Sequence, residues 1–335
     1  LGSRKLLLGI FFLALAYGGY TTLARVSAGS PSAASAIAMG EMLGSAPGVL
    51  AGWLGDRKGL KVPAALGTIA SLTALVKPSP ASVFLTLSFF YSSFLAGMIE
   101  ATKEGEKELG MAVSALSLGW GVGVITVPYA PILGIYAISF LIGSLVVFLG
   151  VRPEPAMSGL LAAVPKLWKL LIPLSLFIGS EYVAYALTAL RFFQLTDKLG
   201  FALSYAVGPS LTATVGGYLA GMTLKRLGPE RMLMLSMLAY VPVVLLALMG
   251  PPPYCLIAWS VPVYPFYEVS LVSLVTKHVP EAPASALGLT YTTTSIASLV
   301  ALPMTEINSF PLIALITSMA MIISTMLLKV ILNKL

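Results

Sequence analysis

The chain has 335 residues, 58% of them hydrophobic and only 10% charged, with a mean hydropathy of +0.94. A water-soluble domain carries about a quarter charged residues, so a soluble fold is excluded and the chain reads as an all-α membrane protein. The formal charge of +7 is spread between apolar runs rather than gathered on one segment, which argues against nucleic acid as a partner and fits a membrane topology.

A helix crossing the hydrocarbon core takes about 20 apolar residues, and lipid forces its backbone groups to pair within the segment. Twelve such helices are predicted, at 5–26, 32–54, 61–77, 81–100, 109–128, 131–151, 169–191, 202–224, 231–250, 253–275, 284–303 and 310–332. The first run lacks a small-residue cleavage pattern and is expected to remain as a span. The third is short, and "KPSP" and "GPPP" serve as whole turns. With both termini on the cytoplasmic side of the cell membrane, only Arg25, Lys77, Arg191 and Lys198 fall outside, leaving sixteen of the twenty Lys and Arg inside. That asymmetry sets the expected orientation.

An internal repeat joins the two halves of the chain. The first helix carries Tyr17 and Tyr20 ahead of Arg25, and the seventh carries Tyr182 and Tyr185 ahead of Arg191. The second helix ends with Leu50, Ala51, Gly52, Arg57 and Gly59, matched by Leu219, Ala220, Gly221, Arg226 and Gly228 at an offset of 169. Two six-helix halves, 1–151 and 169–335, are therefore expected, joined by a cytoplasmic segment at 152–168 lying along the membrane surface.

The stretch "GWLGDRKGLK", residues 52–61, concentrates charge in a chain that otherwise avoids it. It resembles the loop signature between the second and third helices of the major facilitator superfamily, through Gly52, Leu54, Asp56, Arg57, Gly59 and Lys61. Leu60 departs from it, standing where the family has a basic residue, and the copy in the second half has Lys225 in place of the acid. The resemblance implies a secondary transporter fold of twelve helices. It also implies a cytoplasmic gating role for this stretch, with Asp56 facing the positive N-terminus of the eleventh helix near Ala284 and Ser285. Independently of the family, Gly52 admits a close neighbour, Gly59 permits a tight turn, and Arg57, Lys58 and Lys61 meet anionic headgroups.

The fifth helix, "SLGWGVGVITVPYAP", has the glycine spacing of that family's antiporter signature at Gly119 and Gly123. Val124, Val127 and Pro128 replace its remainder, and Ser93 stands where drug/proton antiporters carry an arginine. Close helix packing is the better account of these glycines.

Three carboxylates, Glu41, Glu181 and Glu268, fall within spans, each costing about 2.5–3.5 kcal/mol at a helix centre on insertion scales. No Lys or Arg lies deep enough in the sequence pattern to neutralise them, since Arg25 and Arg191 sit near helix ends. In the resembled fold the first, fourth, seventh and tenth helices line a central cavity. Glu181 is thus the expected principal proton site, Glu268 a second proton or substrate site, and Glu41 either a further proton site or a structural or gating residue. Tyr17, Tyr20, Tyr91, Tyr182, Tyr185, Tyr264 and Tyr267 crowd the same helices and are the expected cavity wall; Tyr faces and carboxylates suit a cationic or amphipathic ligand. Pro262 and Pro265, just before Glu268, remove helix hydrogen bonds and predict a bend or unwinding there.

The absence of deep Arg or Lys disfavours an anionic substrate. Asn and Gln are confined to Gln194, Asn308 and Asn333 at or beyond helix ends, which disfavours a sugar. Cys255 and His278, the single residues of their kinds, leave too few ligands for a Cys/His metal site, and no cofactor or enzyme chemistry is expected. The sequence thus reads as a monomeric, proton-coupled exporter of small amphipathic or cationic compounds, in contact with membrane lipid. The alternatives are a proton-coupled importer or uniporter of a small neutral metabolite, and a non-transporting scramblase or sensor on the same scaffold.

Overall fold

A computed structural model describes residues 2–155 and 159–333. Twelve segments run back and forth across it and form a twelve-helix, two-domain architecture. They are α1 (Gly2–Ser27), α2 (Pro31–Gly44 and Gly48–Lys58), α3 (Lys61–Leu66, Gly67–Ile69 and Ala70–Thr73), α4 (Pro80–Glu104), α5 (Glu106–Tyr129) and α6 (Leu133–Gly150). The second set is α7 (Leu160–Leu195), α8 (Lys198–Phe201, a wider π turn at Ala202–Val207, and Gly208–Leu227), α9 (Pro229–Met249), α10 (Tyr254–Ala258 and Val263–His278), α11 (Pro283–Ala301, then a 3₁₀ turn at Pro303–Glu306) and α12 (Phe310–Leu332). Among the described residues nine helices are long and apolar enough to cross a membrane. Of the other three, α2 and α3 are assembled from pieces, and α8 is diluted by glycine and threonine.

Local chemistry sets many of the ends. Ser30 and Ser79 accept from the backbone N–H of Ala33 and Ser82, each just ahead of a proline at the first helical position. Gly59 ends α2 with φ +88°, and a side chain there would strike the Pro153 carbonyl. Two expectations are corrected here. The seventh helix starts at Leu160 rather than at 169, so residues 160–168 of the expected joint are the first turns of α7, where Ala163 and Leu167, four apart, bury into the second half's core. Residues 156–158 of the joint lie outside the described residues. The second span is also not one helix. It breaks at Ser45–Pro47, where proline interrupts the ladder.

The halves meet along two seams, α2 against α11 and α5 against α8. Both depend on missing side chains. A Cβ on Gly52 would collide with the Ala284 carbonyl, and one on Gly110 would lie 2.6 Å from the Gly217 carbonyl. Ser114 Oγ, one turn on, donates to Thr214 O across the second seam at 2.7 Å. Gly119 and Gly123 serve packing as expected, letting α5 approach the backbone of α1 at Phe11 and Leu15.

Gly52→Val should overpack the α2–α11 seam and cost about 1–3 kcal/mol, read as a lowered midpoint of thermal unfolding in detergent. Gly134→Ala, where a Cβ meets nothing nearer than Ile132 at 3.9 Å, should leave the midpoint unchanged.

Candidate functional site: a carboxylate and tyrosine cavity between the halves

A cavity of about 190 Å³ lies between the halves, lined by residues of α1, α4, α5, α7, α8, α9, α10 and α11. Helical periodicity explains its composition. On α7, Ile178, Glu181, Tyr182 and Tyr185 fall at i, i+3, i+4 and i+7, one stripe facing inward. On α10 the same spacing brings in Tyr264, Tyr267, Glu268 and Leu271. Glu181 and Glu268 therefore both stand on cavity-facing stripes, on the two helices that the family resemblance pointed to. The predicted break in α10 is present at Trp259–Pro262, and Trp259, Val261, Pro262 and Pro265 line the cavity beside Glu268.

The two carboxylates differ in their surroundings. Glu268 is buried and accepts from Tyr291 Oη at 3.4 Å. Glu181 is half-buried on the cavity wall and, among the described residues, has neither an ion pair nor a hydrogen bond. The Tyr91 and Tyr182 hydroxyls meet across the halves, as do the Trp120 indole N–H and the Tyr185 hydroxyl. The described lining holds eight tyrosines, two tryptophans and two carboxylates, and no Lys, Arg, His, Asn or Gln.

Three expectations are corrected by the geometry. Glu41 does not line the cavity and is not without a cation. It is fully buried and held by Arg25, whose Nη2 reaches its two carboxylate oxygens at 2.6 and 2.5 Å and whose Nε donates to Oε2 at 3.2 Å. Arg25 is therefore no surface residue at a helix end, because its long side chain reaches a carboxylate in the first piece of α2, Pro31–Gly44. Tyr20 turns away from the cavity into the core of the first half, near Thr86. Its neighbour Tyr17 does line the cavity, as do Tyr91, Tyr182, Tyr185, Tyr264 and Tyr267. The repeat does not extend to the two arginines: Arg191 donates to the Ala247 and Gly250 carbonyls at 3.0 and 2.8 Å, closing the C-terminus of α9.

Sequence reasoning missed Trp120, Tyr240, Trp259 and Tyr291, all on the wall. The run "TYTTTS" around Tyr291, rich in hydroxyls inside an apolar span, was a readable signal for the last of these.

At the opposite end of α2, Asp56 Oδ1 and Oδ2 accept from the backbone N–H of Ala284 and Ser285 at 3.2 and 2.7 Å. These are orphan donors of the first turn of α11, where the helix dipole also favours a negative charge. Leu60, the residue that departs from the family pattern, is buried in the first half's core. Arg57 lies over Trp53 and Lys61 over Phe148, each at 5.3 Å. Lys277 to Glu106 at 2.7 Å adds a second link between halves at this end. Lys166 pairs with Glu281 at 2.6 Å, and that hydrogen bond holds the exposed Glu281 carboxyl below its usual range. Exposed pairs such as these contribute little.

This architecture, with its two seams and central cavity, is the fold of the major facilitator superfamily. Solved structures with the same fold include a variant of the E. coli fucose:proton symporter FucP, at 14% identity and a TM-score of 0.61 with 97% of each chain covered. They also include the human organic anion transporter MFSD10 (TETRAN), at 14% identity and 0.58, covering 97% of this chain and 98% of that one. A third is a single-substitution mutant of the nucleoside transporter NupG, at 17% and 0.63, covering 98% and 99%. No family model and no curated protein matches the sequence.

Arg25→Ala should leave Glu41 buried without its partner, at a cost of about 3–5 kcal/mol, and lower the thermal unfolding midpoint. Arg25→Met combined with Glu41→Leu removes both charges and should recover most of that loss.

Proposed function

We propose that the chain is a secondary transporter working by alternating access in the cell membrane. Residues 1–151 and 169–335 are the bodies of its two rocking halves, residues 152–159 and the first turns of α7 join them, and both termini are cytoplasmic. The reading extends to proton-coupled export of small cationic or amphipathic organic compounds by a monomer.

The observation that carries this reading is Glu181, a carboxylate on the wall of a buried cavity with no cation and no hydrogen bond among the described residues. Such a group must be neutralised by something mobile, a proton or a cationic ligand, and alternating exposure lets the two exchange. The aromatic wall supports a cation as well, because ring faces attract positive charge, worth about 2 kcal/mol when desolvated. The similar structures move a sugar with a proton, an organic anion and a nucleoside, as their names state. None of those substrates suits a described wall without Arg, Lys, Asn or Gln, since anions need cations and hydroxyl-rich ligands need matched polar partners. The Asp56 contact with α11 closes the cytoplasmic end in this reading, and its release opens the cavity inward.

In proteoliposomes carrying an imposed pH gradient, flux of N-methyl-4-phenylpyridinium should rise with the gradient. Glu181→Gln should abolish that dependence, and Glu268→Gln should weaken it. Unchanged gradient-driven flux in Glu181→Gln would remove the assigned role.

A further inference from the structure

Arg25 and Glu41 are left unused by the proton and substrate chemistry of the cavity, although burying such a pair is costly. Their placement gives them another task. Both belong to the first half, Arg25 on α1 and Glu41 on the outer piece of α2. The Arg25 guanidinium, however, lies 3.7 Å over the ring of Tyr185, which belongs to α7 in the second half. Its Nη1 has no hydrogen-bond partner among the described residues, so the stacked ring is what the cation faces across the interface. The same Tyr185 lines the cavity and receives the Trp120 indole N–H from α5. One tyrosine thus stands between the cavity and a buried cation, at the end away from Asp56.

The break in α2 separates this contact from the other gate. The outer piece, Pro31–Gly44, holds Glu41, while the inner piece, Gly48–Lys58, is fixed to α11 through Asp56. At the break, Thr292 Oγ1 accepts from Val49 N at 2.7 Å and donates to Ala46 O at 3.0 Å. The exposed backbone is thereby satisfied without a continuous helix.

We infer that Arg25, oriented by Glu41 and stacked on Tyr185, is the latch of the extracellular gate. Glu41 is then a positioning residue for the latch rather than a proton carrier. This rests on the transporter reading for its sidedness. A guanidinium on a tyrosine face is a contact that can part and re-form with little directional demand, while the Arg25–Glu41 pair stays whole inside one half and no charge is stranded when the gate opens.

The test uses the full-length protein in detergent with Cys255→Ala and a reporter Ser117→Cys, a small buried residue of the cavity wall. The reporter's rate of modification by a fluorescent maleimide is read without substrate, so the outcome is independent of whether transport or proton coupling has been assigned correctly. Tyr185→Leu should raise the rate at least fivefold, and Tyr185→Phe, which keeps the ring, should stay within twofold of the parent. Arg25→Gln with Glu41→Gln, which removes the latch without leaving a charge unpaired, should match Tyr185→Leu. The inference is overturned if either Tyr185→Leu or the double variant labels at the parent rate. It is also overturned if Tyr185→Phe labels as fast as Tyr185→Leu, because the Trp120 hydrogen bond would then be what closes the gate.

Discussion

A carboxylate inside a bilayer has to be matched, by a cation, a hydrogen bond or a proton, because bare charge in hydrocarbon costs several kcal/mol. The three intramembrane glutamates meet that demand in three ways. Glu41 has a permanent partner in Arg25 and is sealed from the cavity. Glu268 has one hydrogen bond, from Tyr291, and borders the cavity. Glu181 has, among the described residues, only the cavity. The ranking by permanence of partner is also a ranking by suitability for exchange: the group with the least fixed compensation is the one that depends on what enters the space beside it.

The same rule applied to backbone groups shapes the helices. Where Pro47 interrupts α2 and Pro262 interrupts α10, carbonyl and N–H groups lose their partners within the helix and cannot turn to water. Hydroxyls from neighbouring helices take over. Thr292 and Thr294 serve Ala46, Val49 and Met42, and Thr212 donates to Ser260 O at 2.6 Å. In α2 the substitution ties one half to the other, so the break is also a seam contact. In α10 it stays within the second half and leaves the unwound stretch facing the cavity.

Much of this was legible along the chain because helical periodicity and membrane thickness are local constraints. The span count, the α10 break at Pro262, the packing glycines of α5 and the Asp56 approach to Ala284 and Ser285 follow from residues close in sequence or from a compact motif. The stripes on α7 and α10 follow from spacing alone, and they put Glu181, Tyr182, Tyr264 and Glu268 on one surface. Tyr20 was misplaced because it is three residues from Tyr17, near enough to share a face loosely, and its ring found room beside α4 in the first half's core. The first turns of α7 were assigned to the joint because Pro165 masks a helix whose apolar side is secured only by packing.

The sequence by itself determined an all-helical membrane protein of twelve segments, the cavity stripes, and the carboxylates that hydrocarbon would not tolerate unmatched. Each is written in residues one to seven positions apart, the range over which a helix repeats its faces. Only the tertiary structure decided that Arg25 neutralises Glu41, that Tyr185 carries this cation at the boundary of the halves, and that Glu181 is left without a partner among the described residues. Those outcomes depend on which long side chain reaches which neighbour once helices are packed, and a guanidinium on a flexible stem covers several ångströms that no linear pattern records.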